Sequence, residues 1–220
     1  GSVMIIYANT LSDIIPGAIG HIVVGSVLNI VGAIYVSRII VPEDSTPTSS
    51  DKFEDLGYSS TMDAITRGTQ DGLKLALNIG GMLLVIISLV ALVNGVLGLL
   101  EISGEPLSLQ RMLGWLFSPL AWLIGVPWSE AQLAGNLMGS KIVLNEMIAF
   151  IELAALGNDL SENSRLVLLY ALCGFANFGS LGILIGGLST LVPERKMDYL
   201  SLAPKSLISG NVSIFSRVST

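Results

Sequence analysis

The sequence predicts an all-α polytopic membrane protein, and three observations carry that prediction. Leu75 to Leu100 (LALNIGGMLLVIISLVALVNGVLGLL) contains no charged residue, and at about 1.5 Å per residue it exceeds a hydrocarbon core of roughly 30 Å. Ile14 to Ser37 and Leu166 to Pro193 are charge-free at comparable length. Charged residues make up 13% of the chain, about half the share usual in soluble domains. The net charge of −6 comes largely from loops, and no basic stripe of the kind that binds nucleic acid is present. The single cysteine, Cys173, lies in an apolar run and forms no intrachain disulfide.

Taken in order, residues 1–37 hold a short apolar run, Ser2 to Leu11, and one crossing. That first run is about half the length of a span and reads as a partial helix. The opening Gly-Ser-Val-Met reads either as a fusion scar or as native interior sequence, with no signal-peptide pattern before it. Residues 38–74 form a polar loop whose PEDSTPTSSDKFED stretch favours a solvated linker, followed by weak helical character. Residues 75–100 form a long helix. All three tryptophans, Trp115, Trp122 and Trp128, fall in or beside residues 101–127, and Trp115 and Trp122 share a helical face. Tryptophan favours the headgroup region, so this piece reads as an interfacial segment whose regularity Pro119 and Pro127 limit.

Ser129-Glu130 then makes a helix start. SEAQLAGNLMGSKIVLNEMIAFIELAAL reads as two short helical arms around Gly139-Ser140, a re-entrant hairpin over residues 128–157. Residues 166–193 form a further crossing and residues 199–220 a partial last one. Arg38, Lys52, Arg67 and Lys74, and then Arg195, Lys196 and Lys205, put their two loops in the cytoplasm, with Asn158 to Ser164 outside. Residues 101–165 therefore cross an even number of times or not at all.

Two polar insertions interrupt the apolar sequence. Glu146 sits in MGSKIVLNEMIAF, and Asn177 and Ser180 sit in CGFANFGSLGI. Ionisable and amide groups at membrane depth are costly unless they line a cavity or a permeation path, so these residues mark a binding site. Non-helical backbone at that depth needs surrounding protein or water, and broken helices of this kind point to the binding site of a secondary transporter. A ribose offers vicinal hydroxyl donors, a carboxylate only acceptors, and an amide both, so Glu146 with Asn177 is a suitable diol clamp.

The motifs PLAWLIGVPW, MGSKIVLNE, CGFANFGSLGI and GGLSTLVPER, in that order and spacing, resemble the carboxy-terminal half of the concentrative nucleoside transporters across nearly the whole chain. The resemblance implies a fold of two inverted repeats, each with a re-entrant hairpin and a partly unwound helix, of which this chain is the second repeat with the end of the first. It implies nucleoside uptake coupled to sodium or protons. Glu146, Asn177 and Ser180 match the ribose contacts and Phe175 an apolar wall against the base, while Leu73 and Val3 fit base-packing positions through shorter matches. The residues that read the base edge belong to the first hairpin, and the coupling-cation ligands lie there or just before Gly1, so an amino-terminal half of the same protein is an expected partner. A homotrimer with residues 75–100 in its scaffold and a bacterial inner (plasma) membrane location are also implied. Met147 stands where an aromatic usually follows the Asn-Glu pair, and Gly179 where a serine often precedes Ser180.

Plainer readings stand beside these. Glu146 could pair with Lys141 or titrate as a proton site, and Asn177 could be interhelical glue. Gly174, Gly179, Gly182, Gly186 and Gly187 suit close helix packing, a reading that fits the last three best. His21 is a proton-relay candidate, but a lone polar group facing a neighbouring helix is the better account. Asn78 and Asn94 read as packing residues, and Asn211-Val-Ser213 is a weak glycosylation match in an apolar end segment. With one histidine, one cysteine and no clustered ligands, an enzyme is not expected, nor a resident metal or cofactor. A transporter of another polyol or nucleobase-like solute, and a channel or structural subunit, are the alternatives.

Overall fold

The computed structural model describes residues 2–43, 57–102 and 104–218. Most of the acidic linker with Lys52 lies outside the described residues, as does the extreme end of the last segment. Nine α-helices, two single-turn 3-10 helices and one two-stranded antiparallel hairpin make up the regular structure of the described residues. Helix α1 is Ser2–Leu11 and α2 is Ala18–Ile40. The chain turns between them at Pro16-Gly17, where Gly17 takes φ 71°, a conformation that glycine alone adopts without cost. Helix α3, Thr61–Leu97, is 37 residues long, or about 56 Å. It starts well before Leu75, where the apolar stretch begins, because the polar stretch has its own helix signals. The Ser60 hydroxyl accepts from the Asp63 backbone N–H at 3.1 Å, and Asp63 pairs with Arg67 at 2.9 Å one turn on. Helices α2 and α3 are long and apolar enough to cross a membrane by length and composition.

Strands β1 (Glu101–Ile102) and β2 (Glu105–Pro106) form a tight hairpin, and α4, Leu109–Leu123, follows with Pro119 inside it. The region expected to be irregular is thus a regular helix for most of its length. Its partner is α5, Trp128–Val143, which returns antiparallel after a turn at Gly125 (φ 106°). The two axes approach closely because glycines line the contact. A Cβ at Gly135 would run into the Gly114 carbonyl oxygen, and one at Gly139 would lie 2.8 Å from the Gln110 carbonyl oxygen. Asn94 of α3 holds the start of α4, accepting from the Leu109 N–H and donating to the Gln110 side chain, both at 2.9 Å. The tryptophans of this pair remain partly exposed, with Trp122 and Trp128 edge to face at 6.4 Å.

The expected break at Gly139-Ser140 lies elsewhere. Helix α5 runs through both residues, and the chain breaks at Leu144-Asn145 before α6, Glu146–Leu156. Gly139 serves the close contact with α4, whereas Asn145 caps α6 by accepting from the Ile148 N–H at 2.9 Å. Both arms are short of a bilayer's hydrocarbon thickness, at about 24 Å and 17 Å. The base of this hairpin is closed by Glu130, which accepts from the Ser161 N–H and hydroxyl at 3.2 and 3.1 Å. Ser161 caps α7, Glu162–Leu172; a non-helical stretch, residues 173–177, separates it from α8, Phe178–Leu191.

Helix α9, Lys196–Val218, begins three residues before the 199–220 segment read as a partial crossing and packs antiparallel on α2. The end of α2 meets its beginning in a cleft lined by Arg38, Val41, Leu202 and Lys205. Helix α3 runs antiparallel to α8, with Leu75 beside Gly187 and Leu83 beside Gly179. The main core joins α1, the start of α2, both hairpin arms and α7, through Leu11, Ile22, Met138, Phe150, Leu153 and Leu169.

The α4–α5 contact yields a test. Gly135→Leu forces a side chain into the Gly114 backbone and should destabilise the purified protein by about 1–3 kcal/mol, the usual cost of overpacking, seen as a lower melting temperature in detergent. An unchanged melt would show that the two helices are not in this contact.

Candidate functional site

The site is assembled from two breaks that meet. Asn145 ends the first and caps α6, so Glu146 occupies that helix's first turn; Asn177 ends the second and caps α8, accepting from the Ser180 N–H at 2.6 Å. Glu146 is 6% exposed and Asn177 1%. The Asn177 amide donates to Glu146 Oε2 at 2.9 Å, and the Tyr7 hydroxyl of α1 donates to Oε1 at 2.7 Å. A carboxylate in the first turn of a helix is favoured by the helix dipole, and here a second helix N-terminus is joined to it through Asn177.

A buried cation lies alongside. Lys141, 1% exposed, donates to the Asn211 side-chain oxygen at 3.0 Å, and the Asn211 amide donates to the Ala176 and Leu207 carbonyl oxygens, both at 3.0 Å. Lys141 therefore bonds to α9 rather than to Glu146, and Asn211 is a packed link between hairpin, break and last helix instead of a glycosylation site. Close approach is again made by small residues. A Cβ at Gly174 would collide with Ile214, and one at Gly210 would lie 2.6 Å from the Ala176 Cβ. At Gly179 a Cβ would lie 3.2–3.3 Å from the Asn177 Oδ1, the Leu144 carbonyl oxygen and the Leu83 Cδ2, so a serine there needs its neighbours to give. Gly182 packs on Met82 and Gly187 on Leu75, whereas a Cβ at Gly186 meets nothing within 4 Å. His21 faces a neighbouring helix, its Nδ1 2.9 Å from the Tyr170 hydroxyl. Asn78 is exposed.

A cavity of about 440 Å³ lies between α2, the 173–177 break, α8 and α9, lined by Asn29, Phe175, Asn177 and Ser180 among others. The structure thus brings Glu146 onto Asn177, and Asn177 together with Ser180 and Phe175 onto one cavity. It does not bring Leu73 or Val3 there. Leu73, 61% exposed, stands about 15 Å along α3 from Leu83, beside the far end of α8. Val3, 46% exposed, is one turn before Tyr7 on α1. Met147 points outward, 42% exposed. The residue that sequence reasoning missed is Tyr7; its signal was a phenol inside an apolar helix, whose hydroxyl must find a partner when buried. Among the described residues there is no cluster of three or more His, Cys, Asp or Glu able to hold a metal.

The model of the Na+ dependent nucleoside transporter C-terminus matches residues 21–219. The chain is 38% identical to the nucleoside permease NupC of Helicobacter pylori over 202 residues, 89% of this chain and 48% of that protein. It is 40% identical to the uncharacterized transporter YutK of Bacillus subtilis over 184 residues, 80% of this chain and 45% of that one. Mouse solute carrier family 28 member 3 is 31% identical over 216 residues, 89% of this chain and 31% of its own length. Among solved structures, CNTnw in an intermediate state superposes with a TM-score of 0.80 at 35% identity, covering 97% of this chain and 53% of that one. An inward-facing substrate-bound CNTnw structure gives 0.64 at 39% identity, covering 83% and 45%. The chain spans about half the length of the bacterial relatives it matches.

The double role of Asn177 can be separated by mutation. Asn177→Ala loses the cap, about 1 kcal/mol. Asn177→Asp keeps the cap acceptor but turns a carboxylate oxygen towards Glu146, so it should melt lower than Asn177→Ala. Adding Glu146→Gln to Asn177→Asp should recover most of the loss, because the glutamine amide can donate. A double variant no more stable than Asn177→Asp alone would show that the two side chains are not paired.

Proposed function

We propose, since this chain belongs to the family of Na+ dependent nucleoside transporters, that it supplies the ribose-binding half of a cation-coupled nucleoside symporter. The family consists of integral membrane transporters, not enzymes. The observation that carries the sugar assignment is the buried Glu146–Asn177 pair at the meeting of two helix breaks. Each carboxylate oxygen has two acceptor sites, and the protein takes one on each through Tyr7 and Asn177. The acceptors left over suit the vicinal hydroxyls of a ribose, and a charge-assisted bond in a dry site is about twice as strong as a neutral one. Phe175, 59% exposed beside Asn177, is the apolar wall for the base. Ser180 contributes a further polar group at the cavity.

In this reading residues 128–157 are a re-entrant hairpin, residues 166–193 a broken crossing, and the whole a second inverted repeat that works with an amino-terminal half of the same protein. That half carries the base-reading residues and the main ligands of the coupling cation, sodium or a proton. Leu73 and Val3 remain base-packing candidates for a state in which the assembled halves bring them to the site. Helix α3 has no buried residue among those described and shows Leu77, Leu84 and Leu92 each more than 65% exposed. That surface suits lipid or the scaffold of a homotrimer, in a bacterial inner membrane.

Topology follows from the two basic stretches. The end of α2 meets the beginning of α9, and Leu75, within the first half of α3, meets the end of α8; Lys and Arg concentrate in the flanking stretches, which supports a cytoplasmic end with 158–164 outside. Single cysteines at Glu43 and Asn163, in an otherwise cysteine-free version of the full-length protein, should react with a membrane-impermeant maleimide from opposite sides. Reaction from one side would remove the hairpin arrangement.

The sugar assignment is tested in the same full-length protein. Glu146→Gln replaces an acceptor-only group with one that is half donor and should weaken uridine or adenosine binding by about 1.5–3 kcal/mol, the range for a hydrogen bond to a charged group. Wild type should prefer ribonucleosides to their 2′,3′-dideoxy counterparts, and the variant should lose most of that preference. Asn177→Ala should act in the same direction and less than additively with it. A Glu146→Gln protein that inserts and still separates the two substrates as wild type does would place the ribose elsewhere.

A further inference from the structure

We infer that Tyr7 is a positioning residue for sugar recognition, its hydroxyl fixing the plane of the Glu146 carboxylate so that the free acceptor sites face a vicinal diol. The inference rests on the ribose assignment above and extends it to a residue of a different helix. The last torsion of a glutamate side chain is broad and roughly two-fold, so a carboxylate held by one partner alone can turn about that bond. Here it is held from two sides. Tyr7 donates to Oε1 at 2.7 Å and Asn177 to Oε2 at 2.9 Å, which leaves one acceptor site on each oxygen, a matched pair for two adjacent hydroxyls.

The phenol is itself well fixed. Tyr7 is 6% exposed, and its ring packs against Phe150 with centroids 5.0 Å apart. Phe150 lies on α6 one turn beyond Glu146, so the helix that carries the carboxylate also braces the group that orients it. A buried tyrosine hydroxyl needs a partner, and Glu146 is that partner. The ring contact and the hydroxyl bond are chemically separable: phenylalanine keeps the first and removes the second.

The test uses the full-length protein, with equilibrium binding of uridine, adenosine and their 2′,3′-dideoxy counterparts. Tyr7→Phe should raise the ribonucleoside Kd about tenfold, near the lower end expected for a hydrogen bond to a charged group. It should leave the dideoxynucleosides within about twofold, because those ligands do not use the oriented acceptors. In a Glu146→Gln background Tyr7→Phe should add nothing further, since its effect passes through the carboxylate. 3-Fluorotyrosine at position 7, which retains the hydroxyl, should retain the discrimination, and its folding keeps the question answerable if Tyr7→Phe does not insert. Equal weakening of both ligand classes would overturn the inference in favour of packing. Tighter ribonucleoside binding by Tyr7→Phe would overturn it too, because the hydroxyl would then be a competitor for the sugar's place. If Glu146→Gln flattens discrimination while Tyr7→Phe does not, only the role of Tyr7 falls; if Glu146→Gln leaves discrimination intact, the ribose assignment falls and the inference with it.

Discussion

A carboxylate removed from water is the constraint around which this structure is organised. An isolated buried carboxylate is strongly unfavourable, and in proteins such a group is paired, hydrogen-bonded or neutralised. Glu146 is answered by two donors from other elements and by its place in the first turn of α6. That placement requires α6 to begin at the carboxylate, hence a chain break immediately before it. The Asn177 donor sits at the start of α8, hence a second break. Two helix N-termini meeting inside the molecule explain why neither the 128–157 segment nor the 166–193 segment is one continuous helix.

Bringing two breaks together leaves backbone groups to satisfy and little room for side chains. Asn145, Asn177 and Ser161 accept from the first free N–H groups of their helices, as caps do. On the carbonyl side, Asn211 takes the Ala176 oxygen and holds the Lys141 ammonium with its other end. A single asparagine so ties the hairpin, the break and the last helix. Glycines at 174, 179 and 210 let these backbones approach where any side chain would meet Ile214, Leu144 or Ala176. The small residues and the polar ones therefore act together: the first let irregular chain pass through the interior, and the second pair with groups that its breaks expose.

How much of this was legible follows from which signals are local. An apolar run without charge announces a long helix, and a carboxylate or amide within such a run announces a buried polar contact, so Glu146 and Asn177, which the structure pairs, stand out in the sequence alone. The position of the hairpin break could not. Gly139-Ser140 looks like a breaker, but glycine also permits close helix contact, and only the packing of α5 on α4 decides between the two uses. Asn145, a strong cap residue five places beyond Ser140, was the competing signal. Lys141 lies five residues from Glu146 and invites pairing in sequence, yet its ammonium reaches Asn211 of α9, seventy residues away. Tyr7 was missed for a related reason: its hydroxyl signals the need for a partner, but that partner is 139 residues distant, and an aromatic in an apolar helix reads as core. The Thr61 start of α3 was local information given too little weight against the polarity of its first turns.

The same bonds that stabilise the carboxylate also tie the site to the conformation of the whole. Tyr7 belongs to α1, Glu146 to α6 and Asn177 to the junction before α8, so no one of these elements can shift far without breaking a hydrogen bond to the carboxylate. Each such bond has a net worth of roughly 1.5–3 kcal/mol, and losing one leaves a buried charge less well satisfied. A hairpin that moves must therefore find other donors for the carboxylate, because a buried charge left short of partners is costly. Conformational states that differ in the seating of α6 against α1 and α8 therefore differ in how the Glu146 carboxylate is held, and any ligand that donates to it shifts the population toward the state it binds better. The acceptor sites of Glu146 thus couple α1, α6 and α8, and a substitution that changes who donates to them alters the seating of all three.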